Sequence, residues 1–145
     1  MRFVCILLFA FLCVSITYSQ NKQQYTILEK YIVAHNDGSE KAISNFIEDT
    51  YHADLYNSVD IDQHIESYES IASEFGPLNS AIYSIDEVTP NRLVVQLIKA
   101  DVKVKNKFVD PTEILVVELE LNARNKNYLG KGLILGARIP EIEEN

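Results

Sequence analysis

The sequence predicts an α+β domain in which three N-terminal helices pack on a four-strand antiparallel sheet. Two observations carry this. Apolar residues recur at the helical period up to Pro77 and at a period of two beyond it. Helices in one run and strands in the next give a segregated plan rather than alternating parallel units. Length sets the scale: 145 residues, 47% of them hydrophobic, make one domain with one core.

The first helix spans roughly Lys22–His35, with Tyr25, Leu28, Ile32 and His35 at i, i+3, i+7 and i+10 on one face. Asn36-Asp37-Gly38 breaks it. Asp37 then reads as the N-cap of the second helix, with Glu40 three positions on completing a capping box. That helix runs to about Tyr51 and buries Ala42, Ile43, Phe46 and Ile47. The third helix starts at Asp60, with Gln63 at N3. Its stripe is Ile61, Ile65, Tyr68, Ala72 and Phe75, and Gly76-Pro77 stops it.

Past Pro77, Ala81, Tyr83 and Ile85 alternate with polar neighbours, and Asp86–Asn91 reads as a turn around Pro90. Residues 92–104 read as a long strand, Lys105–Thr112 as a break, and 113–121 as the third strand. Asn122–Lys131 reads as a polar loop and residues 132–139 as the last strand. Lys103, Lys105 and Lys107 form the kind of lysine row that keeps an edge strand from recruiting other chains.

The N-terminus carries an address. Met1-Arg2 is a short basic start, residues 3–14 are a twelve-residue apolar run, and Thr17-Tyr18-Ser19 is a small-x-small exit. Together they read as a secretory signal peptide cut between Ser19 and Gln20, placing the domain (20–145) outside the cytoplasm, secreted or periplasmic. The apolar run is shorter than the ~20 residues a membrane-crossing helix needs, and no second stretch approaches that length. Cleavage removes Arg2 and both cysteines, Cys5 and Cys13. The 126 residues left have a net charge of −9 and no means of forming a disulfide.

Charge excludes a further class. With 13 Lys+Arg against 21 Asp+Glu, the chain lacks the basic surplus that nucleic-acid binding needs. The acids are also unevenly placed. Between Lys41 and Arg92 there are ten carboxylates and no basic residue, so one flank is strongly negative and suits a basic partner surface. Asp60-x-Asp62 with Glu66 lacks the glycine turn and further oxygen ligands of a calcium loop and reads as helix capping. No histidine pair has metal-site spacing, so neither a metal nor a cofactor is expected.

The order of elements resembles the nuclear transport factor 2-like superfamily. Tyr31-Ile-Val-Ala-His-Asn-Asp-Gly-Ser-Glu40 is similar to the first-helix and turn segment of small extracytoplasmic modules of this kind. Phe46-Ile-Glu-Asp-Thr-Tyr51, the Phe75-Gly76 helix end and the Gly136–Glu141 close continue the likeness. The resemblance implies a strongly curved, cystatin-like cone of sheet covered by the helices. It also implies a pocket inside the cone, and frequent homodimers through the outer sheet face. Such modules often accompany hydrolase or peptidase domains. The wider superfamily includes isomerases, dehydratases and polyketide cyclases with an acid/base residue in the cone.

On that reading the pocket face is aliphatic. Leu115, Val117, Leu119 and Leu121 share one face of the third strand, and Leu133, Leu135, Ala137 and Ile139 share one of the fourth. Neither strand offers a base there. Glu118, Glu120 and Arg138 have the opposite parity and read as outer-face ion pairs. Tyr31, Tyr51 and Tyr68 offer polar tips to a pocket or finish a core, and the predicted ligand pocket is Tyr31, His35, Tyr68, Leu115, Val117, Leu119, Leu133 and Leu135. His35, near a helix C-terminus, has the dipole favouring its charged form. His52 with Asp54 is the other acid/base candidate, and His64 reads as exposed. The expected function is non-catalytic binding of a small apolar ligand or a protein partner. The alternative is a lyase or isomerase of the ketosteroid isomerase or polyketide cyclase type, with His35, His52 or Asp54 moving a proton.

Overall fold

The computed structural model describes residues 22–58, 60–104 and 109–137. The signal segment, Lys105, Lys107, Arg138, Ile139 and the acidic tail lie outside the described residues. The α+β class and the four-strand antiparallel meander hold: helix α1 (22–37) is followed by α2 (Glu40–Thr50), α3 (Ala53–Tyr56) and α4 (Ile61–Phe75). Strands β1 (Ser84–Val88), β2 (Arg92–Ile98), β3 (Ile114–Leu121) and β4 (Leu129–Ala137) then pair in chain order.

Helix α1 buries Gln24, Ile27, Leu28, Tyr31, Ile32 and His35, a stripe at the helical period that faces the core. It runs two residues past His35, and Gly38 turns the chain at φ +68°, a conformation a side chain rarely adopts. The N-cap of α2 is therefore Ser39, not Asp37. The Ser39 hydroxyl accepts from the Ala42 N–H at 3.2 Å, while the Asp37 carboxylate accepts from the Ser39 N–H. At α4 the Asp60 carboxylate accepts from the Asp62 N–H at 3.1 Å, and Gly76 ends the helix at φ +80°.

Helix α3 is an addition to the expected three helices. It is a single turn over Ala53–Tyr56, in a stretch that reads as loop, and His52 makes it by capping its N-terminus. The strand limits also differ. The β1–β2 turn is tighter than Asp86–Asn91, since β1 continues to Val88. Strand β2 stops at Ile98 instead of 104, because Lys99 bridges Leu78 and the Ala100 N–H turns back to the Pro77 carbonyl at 2.8 Å. Strand β4 begins at Leu129, inside the predicted loop.

The inner sheet face is apolar as its parity predicts. Leu93, Val95 and Leu97 from β2 and Leu115, Val117, Leu119 and Leu121 from β3 are buried, with Leu129 and Leu133 from β4. They form one cluster with the inward residues of α1, α2 and α4. The outer face is dressed with charge. Arg92 pairs with Glu118 at 2.7 Å and with Glu87, and Lys131 pairs with Glu120 at 2.9 Å. These are the cross-strand pairs expected of Glu118 and Glu120, made with partners on neighbouring strands.

Candidate functional site

His35 is a structural link. It is 5% exposed, and its Nε2–H donates to the Gly76 carbonyl at 2.8 Å. A carbonyl can only accept, so the proton sits on Nε2, and the bare Nδ1 accepts from the Tyr31 hydroxyl at 3.1 Å. Burial outweighs the Gly76 bond and lowers the imidazole pKa, so the ring is held neutral. This reverses the expectation from the helix dipole: desolvation is the larger effect here. Beside it, the Asn36 carboxamide donates to the Leu78 carbonyl at 3.0 Å and accepts from the Leu78 N–H at 2.7 Å. The two residues fasten the end of α1 to the chain leaving α4.

A second chain of hydrogen bonds runs through Tyr68, Tyr51 and His64. The Leu133 N–H donates to the Tyr68 hydroxyl at 3.1 Å, and the Tyr68 and Tyr51 hydroxyls share a hydrogen bond at 2.9 Å. The Tyr51 hydroxyl also bonds to His64 Nδ1 at 3.1 Å. Burial lowers the His64 pKa, consistent with a ring that accepts at Nδ1. His64 is thus half-buried and bonded rather than exposed. Burial pushes the phenols of Tyr31, Tyr51 and Tyr68 up, so all three stay protonated. Removing one oxygen breaks the sequence: Tyr68→Phe leaves the buried Leu133 N–H without its acceptor and is expected to cost about 1–3 kcal/mol. Urea denaturation checks this, and an unchanged midpoint would show that the chain contributes nothing.

The eight residues of the predicted pocket lie together. Tyr31, Tyr68, Leu115, Val117, Leu119 and Leu133 belong to the buried cluster, His35 is buried beside them, and Leu135 packs against it. None of the eight lines either of two surface clefts. One, about 410 Å³, runs between α1 and α2 past Val33, Ala34 and Phe46.

The other cleft has more chemistry. About 470 Å³ is enclosed by the end of α2 (Glu48, Tyr51), the α3 turn (His52, Ala53, Tyr56, Asn57) and the β3–β4 turn (Asn125, Tyr128). Backbone holds these segments together. The His52 N–H donates to the Leu129 carbonyl at 2.9 Å, and Tyr51 makes a parallel bridge with Leu129. The His52 and Tyr128 rings meet edge to face, 6.5 Å between centroids. Of the acid/base candidates His52 lines this cleft, and Tyr51, read as a polar tip, lines it too; Tyr56, Tyr128 and the asparagines of its wall carry no motif.

His52 and Asp54 are not arranged as a base and its orienting carboxylate. His52 Nδ1 accepts from the Asp54 backbone N–H at 3.2 Å as the N-cap of α3. An orienting carboxylate needs a proton on that same nitrogen. The Asp54 carboxylate stands 3.4 Å away and is largely exposed. Among the described residues no group of three His, Cys, Asp or Glu is placed to hold a metal ion, and no helix is long and apolar enough to cross a membrane.

No family model, no curated protein and no solved structure matches this chain.

Proposed function

We propose that this chain is a secreted, non-catalytic binding domain whose recognition site is the cleft between α2, α3 and the β3–β4 turn. One observation carries the reading. The buried phenol and imidazole groups beneath the sheet are committed to internal hydrogen bonds, with Tyr31 bonded to His35 and Tyr68 to Tyr51. The cleft, by contrast, presents the half-exposed tyrosines Tyr56 and Tyr128 with Glu48, Asn57 and Asn125 to solvent. A proton-transfer site needs a base whose lone pair meets the substrate. His35 spends both ring nitrogens inside the protein and His52 spends Nδ1 on its cap. The ligand is therefore taken at the surface, and the aliphatic sheet face serves as core.

The secretory reading rests on the basic start, short apolar run and small-x-small exit of residues 1–19. The superfamily reading, with its cone, rests on helices preceding an antiparallel meander. Register shifts between Ile85 and Glu87 and between Glu118 and Leu121 favour it, since bulges increase strand twist and bend a sheet. The outer face, with its ion pairs across β1–β4, is the less suited to self-association.

Native mass spectrometry of the secreted protein tests the reading by reporting subunit count and any retained ligand together. The expected result is a bound species that Tyr128→Leu releases and Leu135→Val retains. Turnover of ketosteroid- or polyketide-like substrates, lost on changing His35 or His52, overturns it in favour of a lyase or isomerase.

A further inference from the structure

We infer that the cleft accepts an organic cation, the guanidinium or ammonium head of a basic peptide side chain. This rests on the reading of the cleft as the binding site and names its ligand class. The cleft wall has one carboxylate, Glu48, and the His52 ring beside it turns its Nδ1 to the Asp54 N–H as the cap of α3. Among the described residues no cation pairs with Glu48, whereas its neighbour Asp49 is paired with Lys30 at 2.9 Å. Lys126, on the same turn as Asn125, is directed to the Asn91 carboxamide oxygen.

Tyrosines line the same cleft as this carboxylate. Tyr56 and Tyr128, 37% and 39% exposed, are among the exposed large hydrophobic residues of the chain. A ring face carries negative quadrupole charge, so tyrosines beside a carboxylate bind cationic heads where either alone binds weakly. The long-range field agrees. The cleft residues 48–57 fall within the stretch from Lys41 to Arg92, which holds ten carboxylates and no lysine or arginine. Low-dielectric walls focus such a field on an approaching cation. A neutral saccharide could use the tyrosines and asparagines, but it would leave Glu48 without a role.

The test is a titration of the labelled protein with a blocked tri-arginine peptide, followed by amide chemical shifts, beside the tri-citrulline peptide of matched shape and no charge. Shifts are expected at residues 48–57 and 125–128, with affinity falling about tenfold in Glu48→Gln and in Tyr128→Leu. Affinity should also weaken as salt rises to about 0.5 M. Both side chains are exposed, so circular dichroism should show both variants folded. Equal binding of the citrulline peptide or of maltotriose in the cleft overturns the cation assignment while the cleft stands as a binding site. Arginine binding confined to the carboxylates of α4, or unaffected by Glu48→Gln, also overturns it. Failure of all probes removes the ligand class, and the retained-ligand measurement then decides separately whether the cleft binds anything.

Discussion

Gly130→Ala should destabilise the protein by about 3 kcal/mol or more, the upper end of what overpacking costs. A methyl group at this position would stand 2.7 Å from the Asn122 Cα, 2.9 Å from its nitrogen and 3.1 Å from the Leu121 carbonyl oxygen. All three are backbone atoms of the facing strand end, so no side chain can rotate aside. Relief requires β3 and β4 to separate where Leu121 pairs with Leu129 and where the Asn122 N–H reaches the Tyr128 carbonyl at 2.8 Å. Gly132→Ala is the control. Its added carbon would meet His64 Cε1 and the Tyr51 hydroxyl, each at 2.8 Å, and both are side-chain ends. It should cost less, about 1–2 kcal/mol, by parting those two groups. Urea denaturation of both variants checks the order. A Gly130→Ala protein within about 1 kcal/mol of the parent would show that the hairpin yields easily. Because Asn125 and Tyr128 hang on this turn, the variant should also lose cleft binding.

How far the sequence discloses this molecule depends on whether a feature is local. The switch of period at Pro77, the Asp60 cap and the Gly76 stop all act within one turn of chain, and each is visible as residue type and spacing. The parity of Leu115, Val117, Leu119 and Leu121 is equally local, and the four face the core. Strand β4 is harder to read. Its first half, Leu129-Gly130-Lys131-Gly132, has glycines where a strand signal needs side chains, so its buried Leu129 passes for loop. Helix α3 is one turn long, too short for any period, and rests on a histidine cap. The cleft is the extreme case. Glu48, His52 and Tyr56 come from one stretch and Asn125 and Tyr128 from another some seventy residues on, joined by the His52–Leu129 bond that no spacing announces. The bond between Tyr51 and His64 is likewise tertiary, which is why His64 looks like a free surface residue.

Those buried histidines make folding sensitive to acid. The His35 and His64 pKa values are lowered by burial in the folded protein, while the unfolded chain titrates near the ordinary value of about 6.5. Above that pH both states are neutral at these rings and the full stability is present. As pH falls below about 6.5 the unfolded chain takes up protons first, so stability declines until the folded pKa is passed. For His35, the more deeply buried of the two rings, the decline continues for as long as the unfolded chain holds a proton that the folded ring refuses. Half-buried His64 adds a smaller amount of the same sign. Burial is what keeps both rings from accepting a proton readily. A charged His64 would have to donate from Nδ1 to the Tyr51 oxygen, and one hydroxyl proton of the Tyr51–Tyr68 pair would then be left without an acceptor. The carboxylates titrate in a separate window. Glu118, held low by its bond to Arg92, loses its contribution only within the acid carboxylate range. Denaturation midpoints measured from about pH 8 down to about pH 5 should therefore fall steadily below 6.5. The slope should shrink most in His35→Gln and less in His64→Gln, with the Glu118 limb untouched. An identical slope in both variants would place the acid sensitivity elsewhere and remove the argument that neutral histidines tie the helices to one another.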